Sequence, residues 1–114
     1  MKAIIEVAAR NSIFDAALAD LAGGGSADYH LSFESAKALF AEITPARLDL
    51  LGVLRRTGPC SVYALAKAAG RNYSNVHADI AKLAELNLVE RTDGDAVCVP
   101  YEEIEIHMAL AKAA

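Results

Sequence analysis

Between Arg71 and Lys82 the chain reads RNYSNVHADIAK, a run rich in side chains that can both donate and accept hydrogen bonds. Asn75 suits the paired donor and acceptor of an adenine edge, Ser74 can meet several bases, and Ala78 is small enough to permit close approach of a duplex. Arg71 and Lys82 bracket these residues and can neutralise phosphates on either side, and Arg91 can do so from further along the chain. Asn72 and His77 add polar groups at the flanks. The chemistry offered is recognition of a nucleic-acid groove, with Arg71, Asn72, Ser74, Asn75, His77, Ala78, Lys82 and Arg91 as candidate DNA-binding residues. Reaction chemistry is not evident. His30, His77 and His107 lie far apart without acidic partners at ligand spacing, and no Gly-rich phosphate loop, nucleophile motif or carboxylate pair stands out. Cys60 and Cys98 show no metal-ligand or redox spacing. The expectation is a protein with no catalytic residue, no metal and no cofactor, and not an enzyme.

Such a surface works only if a helix presents it. With Val76 at the centre of a buried face and 100° per residue, Ile80 and Leu83 fall within about 40° of it and anchor the helix. Arg71, Ser74, Ala78, Lys82 and Glu85 then occupy the opposite face, with Asn75 and His77 on its flanks. Tyr73, about 60° from the buried centre, is assigned to the core by the same wheel. Any surface helix shows a polar outer face, so each residue taken singly is as well explained by solvation. The pattern around the helix is what carries the reading.

Ser61 caps a preceding short helix whose Val62, Leu65, Ala66 and Ala69 face inward, and Gly70 supplies a left-handed turn into the helix of about 73 to 86. Two short helices joined by a tight Gly-containing turn form a helix-turn-helix. Upstream, Thr44-Pro45 starts a helix with Leu48, Leu51 and Leu54 on its buried face, ended by Gly58-Pro59. Gly52 in its middle marks either a close crossing or a tolerated weakness. Downstream, Leu88 to Thr92 and Ala96 to Val99 flank Asp93-Gly94 as a hairpin, the wing of a winged helix. The N-terminal part reads as a strand over 3 to 8, then a helix from Ser12 with Asp15 at capping-box spacing and Ile13, Ala17, Leu18 and Leu21 as its stripe, ended by Gly23 to Gly25. A strand with Tyr29, Leu31 and Phe33 follows, then a helix of about 34 to 42 with Ala36, Leu39, Phe40 and Ile43 on one side. After Pro100, Ile104, Ile106, Met108 and Leu110 alternate with Glu103, Glu105, His107 and Ala109, a strand with one buried face.

The expected fold is therefore α+β, a winged helix-turn-helix over 33–101 with an N-terminal β-α-β-like extension over 1–32 and a C-terminal strand and tail over 102–114. Neither end is needed to complete a winged helix, and left exposed their apolar residues would form a large patch, so both are expected to hold a homodimer. They can pair within one chain as a small sheet or exchange across a two-fold axis.

The charge distribution refines the partner. The 114 residues carry a net charge of −4, which by itself disfavours nucleic acid. Residues 45–91, however, hold seven basic against four acidic side chains, whereas 1–44 hold three against six and 92–114 one against five. The positive part of a negative chain is the part that carries the candidate contacts. With 54% hydrophobic residues a core is available, yet no apolar run is long enough to span a bilayer. Glu6 and Arg10 interrupt the start where an export signal would need an unbroken apolar core, so cytoplasmic location without membrane attachment is expected.

The stretch TPARLDLLGVLRRTGPCSVYALAKAAGRNYSNVHADIAKLAELNLVER with the following VCVPYEEIEI, within a span from about Phe33 to Ile106, resembles a family of small prokaryotic DNA-binding regulators. Their winged helix is similar to those of MarR-like and ArsR-like repressors, and members are often the antitoxin or autoregulator beside a toxin gene. The resemblance implies sequence-specific binding of double-stranded DNA by a transcriptional regulator, a repressor, with a toxin protein as a further partner. The chain departs from the family where Asn72 replaces Asp, Ser74 a basic residue and Ala78 an Arg, changes that alter the charge of the reading face. Asn87 stands where Gly usually ends the helix. The competing reading is a winged helix that binds another protein and not DNA.

Overall fold

The computed structural model of the chain describes residues 1–7 and 28–110. Among the described residues it is a small α+β protein with four α-helices, a parallel three-stranded sheet and a short antiparallel pair. The expected helix from Ser12 and its stop at Gly23 to Gly25 lie outside the described residues. The chain divides into two compact units, residues 1–42 with 103–114 and residues 43–102.

The first unit holds strand β1 (Lys2–Val7), strand β2 (Tyr29–Phe33), helix α1 (Ala36–Glu42) and the C-terminal strand β5 (Glu103–Met108). The sheet order is β2-β1-β5 with both pairings parallel, so the two ends of the sequence meet within one chain. The register lines up Ala3, Ile5 and Val7 with Tyr29, Leu31 and Phe33 on one side and with Ile104, Ile106 and Met108 on the other. Alternation along each strand therefore makes one face of the sheet wholly apolar. Ala3 and Ile5, in the central strand, are fully buried. Ile106 and Met108 are exposed although they belong to that face. A strand with one buried face was expected there, but among the described residues β5 is an edge strand with no strand on its outer side.

The opposite face is polar apart from Ile4 in the central strand. The Lys2 ammonium lies 3.1 Å from Glu105 and 3.6 Å from Glu103, His107 Nε2 is 3.1 Å from Glu105, and His30 Nδ1 is 3.5 Å from Glu6. The hydrogen bond from His107, reinforced by Lys2, holds the Glu105 carboxyl below its usual pKa, and the hydrogen bond to Glu105 raises that of Lys2. In α1 the Ser35 hydroxyl accepts the Ala38 N–H at 3.0 Å, which starts the helix later than its apolar spacing suggests. Leu39 is its buried residue, while Phe40, expected beside it, turns out to solvent.

The second unit comprises α2 (Pro45–Thr57), α3 (Val62–Ala69), α4 (Tyr73–Glu85), β3 (Glu90–Arg91) and β4 (Val97–Cys98). Pro45 sits where a missing N–H is harmless, and the Thr44 hydroxyl accepts the Arg47 N–H at 3.2 Å. Leu50, Leu51 and Leu54 bury the α2 face; Leu48, expected there, is only half-buried. A Cβ on Gly52 would meet nothing nearer than the tip of Arg56 at 3.6 Å, an ordinary contact, so no close crossing requires the glycine. The core is completed by Leu65, Val76, Ile80, Leu83, Leu88 and Val97, each essentially inaccessible.

The hairpin is shorter than its sequence suggests. Only Glu90 and Arg91 pair with Cys98 and Val97, and Asp93–Asp95 form a single 3₁₀ turn in place of a two-residue Asp-Gly turn. Gly94 and Asp95 both have positive φ, 78° and 64°, and the Thr92 N–H closes the loop on the Ala96 carbonyl at 2.7 Å. The loop thus takes three residues, and the β3–β4 ladder is left with two residue pairs. Cys60 compensates by bridging Val97 from the far side, with N–H to O distances of 3.2 and 2.8 Å. Burial raises the pKa of its thiol. Below the hairpin the Tyr101 hydroxyl donates to the Asn87 carbonyl at 2.8 Å, and Asn87 itself takes the left-handed conformation (φ 61°) that ends α4.

Because Gly52 serves no packing need, Gly52→Ala is expected to raise stability by about 0.5–1 kcal/mol through the lower entropy of the unfolded chain and better helix propensity. Thermal unfolding followed by circular dichroism measures it; a loss of stability would mean that the methyl disturbs α2.

Candidate nucleic-acid interface

The candidate residues converge on α4 and the turn that leads into it. The Ser61 hydroxyl caps α3 through the Ala64 N–H at 3.1 Å, and α3 buries Val62, Leu65 and Ala66. It ends at Gly70, whose φ of 65° is the left-handed conformation that only glycine adopts without strain. The Gly70 N–H reaches the Lys67 carbonyl at 3.2 Å and the Arg71 N–H reaches that of Ala66 at 3.0 Å, a Schellman closure. Two residues later Asn72 begins α4, its side-chain oxygen accepting the Asn75 N–H at 3.3 Å. Asn72 is therefore fixed at the helix start by a cap.

From there Val76, Ile80 and Leu83 lock α4 onto the core. Asn72, Tyr73, Ser74, Asn75, His77 and Ala78 all stand exposed along the first half of the helix. Tyr73 had been assigned to the core, yet it is 48% exposed. It stands at the first position of α4, where its ring meets other exposed rings and not the core, so angular proximity to the buried stripe does not bury it. Tyr63 of α3, 63% exposed, stands 6.4 Å from Tyr73 ring to ring, and Tyr73 stands 5.8 Å from His77. Lys67 lies over the Tyr63 ring at 5.9 Å. Tyr63, Tyr73 and His77 line one wall of a cleft of about 320 Å³ whose other side is Arg91 and Asp95 of the hairpin.

The basic residues do not all serve this face in the same way. Arg71 donates to Asp79 at 2.8 Å, and Arg47 of α2 donates to the other oxygen of the same carboxylate at 3.1 Å. Asp79 is only 14% exposed, and Arg71 Nη1 is buried without a hydrogen-bond partner among the described residues. Part of Arg71's charge is thus tied to an internal bridge between α2 and α4. Lys82 lies 3.2 Å from Glu85, one turn on. Arg91, on β3, is exposed beside the cleft. The face consequently combines polar and aromatic groups at its centre with cations at its margin, Lys67 on α3 and Arg91 on the hairpin. It can stack on sugars, hydrogen-bond base edges and neutralise a small number of phosphates.

Sequence reasoning named the α4 residues and Arg91 but missed Tyr63, Lys67 and Tyr73. Their signal was present: Tyr63 and Lys67, and Tyr73 and His77, are each four apart and so share a helix face. That the two pairs adjoin depends on the Gly70 turn. Among the described residues no group of His, Cys, Asp and Glu can hold a metal ion, and no helix is long and apolar enough to cross a membrane.

A family model described as HVO_A0114 matches residues 42–106, more than half of the chain and all of the helices just described from α2 onward. No curated protein and no solved structure matches.

Asp79→Ala leaves two partly buried guanidinium groups without their shared acceptor. Stability is expected to fall by about 1–3 kcal/mol, between the values for exposed and fully buried pairs. Asp79→Asn, which keeps one acceptor, should lose less; equal urea midpoints for both variants and the unaltered chain would show that the bridge contributes nothing.

Proposed function

The chain belongs to the HVO_A0114 family, and we propose that it is a cytoplasmic transcriptional regulator that binds double-stranded DNA through a winged helix-turn-helix. In this reading α3 and α4 are the helix-turn-helix, α4 enters the major groove, and the β3–β4 hairpin is the wing. The observation that carries it is the first half of α4: Ser74, Asn75 and Ala78 stand exposed on a helix whose opposite side is buried, and Arg91 of the hairpin shares a cleft with Tyr73 and His77 of the same helix. The N-terminal part of such a helix is where base edges are usually read. Asn75 and Ser74 select bases, Tyr63, Tyr73 and His77 pack along the sugar-phosphate backbone, and Lys67 and Arg91 neutralise phosphates. Arg71 acts chiefly by fixing α4, since Asp79 already holds it, and Lys82 supports the far end of the contact.

Repression follows from occupancy of an operator, and the resemblance to antitoxins and autoregulators beside toxin genes makes a toxin protein a candidate second partner. A homodimer is expected, because one reading helix contacts too few base pairs to select a genomic site. A second reading, a winged helix that binds protein, is favoured by one observation: two exposed tyrosines adjoin on the same face, and tyrosine is enriched at protein interfaces.

Binding to a selected duplex separates these readings. Asn75→Ala should cost about 1–3 kcal/mol on the preferred site and blur discrimination there, whereas Arg91→Ala and Lys67→Ala should weaken all sequences alike and each reduce the salt slope by about 1. Fluorescence titration at several salt concentrations reads both effects. Affinity unchanged in all three variants would sink the DNA reading.

The acidic flanks and the internally paired arginines also set the strength of non-specific binding. The slope of log affinity against log salt should correspond to only a few phosphates per subunit; a slope implying about ten would contradict the proposed contact set.

A further inference from the structure

Strand β5 lies at the edge of the three-stranded sheet, so one row of its backbone N–H and C=O groups has no strand beside it among the described residues. Such a row is a template for pairing with another chain. The apolar side chains beside it are open as well: Ile106 is 41% exposed and Met108 53%. The other edge differs, since every residue of β2 is at least half-buried in character and none is fully exposed.

We propose that β5 is the docking edge for a second copy of this chain, pairing antiparallel with itself about a two-fold axis at Ile106. The sequence of the strand is self-complementary in that register. Ile106 meets its own copy and Ile104 meets Met108, all on the apolar face; on the polar face Glu105 meets His107 and His107 meets Glu105. Opposed apolar and opposed Glu–His pairs each favour an antiparallel ladder. Neighbouring registers are worse. Sliding toward Glu103 sets Glu105 against its own copy, a like-charge pair, and sliding the other way opposes His107 to itself and Glu105 to Ala109. A slip by one residue puts the apolar face of one strand against the polar face of the other. Pairing at Ile106 converts two three-stranded sheets into one of six strands and covers the open apolar row. It is the isologous contact expected of a two-fold dimer.

This surface adds to the DNA reading without using any residue of 43–102. A chain that pairs but ignores DNA upholds it and sinks that reading; a monomeric chain that binds DNA does the reverse. Light scattering on the full chain at micromolar concentration should give twice the 12.0 kDa chain mass. Ile106→Lys places two ammonium groups across the axis and should weaken the dimer at least tenfold, with an unchanged circular dichroism spectrum. Directly opposed residues in an antiparallel ladder have Cα atoms about 4.5–5.5 Å apart, within disulfide range. Ile106→Cys, in a chain with Cys60→Ser and Cys98→Ser, should therefore oxidise to a linked dimer, whereas Glu103→Cys in the same background should not. The Ile106→Cys result decides the matter if Ile106→Lys fails to fold. A monomeric full chain, a folded Ile106→Lys variant that keeps the dimer mass, or linkage at position 103 but not at 106 would each overturn the proposal.

Discussion

What the 43–102 unit offers to solvent depends on the rotation of α4 about its own axis, and burial of Val76, Ile80 and Leu83 sets that rotation. Each of these side chains is essentially inaccessible, and burying one contributes about 1.5–3 kcal/mol. Turning the helix by one residue, 100°, would lift all three from the core and push polar groups of the outer face toward it. Asp79 adds a second restraint from the flank, because its carboxylate joins Arg71 at the start of α4 to Arg47 on α2. The apolar stripe fixes which face points out, and the ion bridge ties α4 to α2.

That same bridge limits how the interface can work. Two of the seven basic residues in 45–91 are held by one partly buried carboxylate, Lys82 sits against Glu85, and Arg55 donates to the Val99 carbonyl at 3.0 Å. The local excess of positive charge is thus partly internal, and what faces outward on α4 is mainly amide, hydroxyl, phenol and imidazole. A surface of that composition offers hydrogen-bonding groups more than net positive charge. The aromatic run of Tyr63, Tyr73 and His77 supplies rigid apolar area beside these polar groups.

The terminal unit follows a different logic. Its parallel sheet needs strands from both ends of the sequence, so β1 and β5 find each other across the whole length of the chain. Alternation gives the sheet one apolar face and one that is polar apart from Ile4, and the latter brings Lys2, Glu103, Glu105 and His107 together. These contacts are solvent-exposed and weak individually; their value lies in register, since shifting β5 by one residue would set its acidic side chains against the apolar row.

The sequence by itself determined the local structure: Thr44-Pro45, Ser61 and the Gly70 turn begin or end helices where their chemistry says they should, and the Val76, Ile80, Leu83 spacing identifies the buried side of α4. Those signals are legible because caps, turns and periodicity act over a few residues. Tertiary structure decided the rest. Tyr73 is exposed because at the start of α4 it meets Tyr63 and His77 and not the core, a fact no helical wheel contains. The hairpin strands are cut short by two successive left-handed residues, Gly94 and Asp95, and rescued by a bridge from Cys60. Arg71 shares the Asp79 carboxylate with Arg47, an arrangement that depends on the packing of α4 against α2. Whether a side chain is covered, and which charge it meets, depends on neighbours distant in sequence, and local pattern carries no information about their placement.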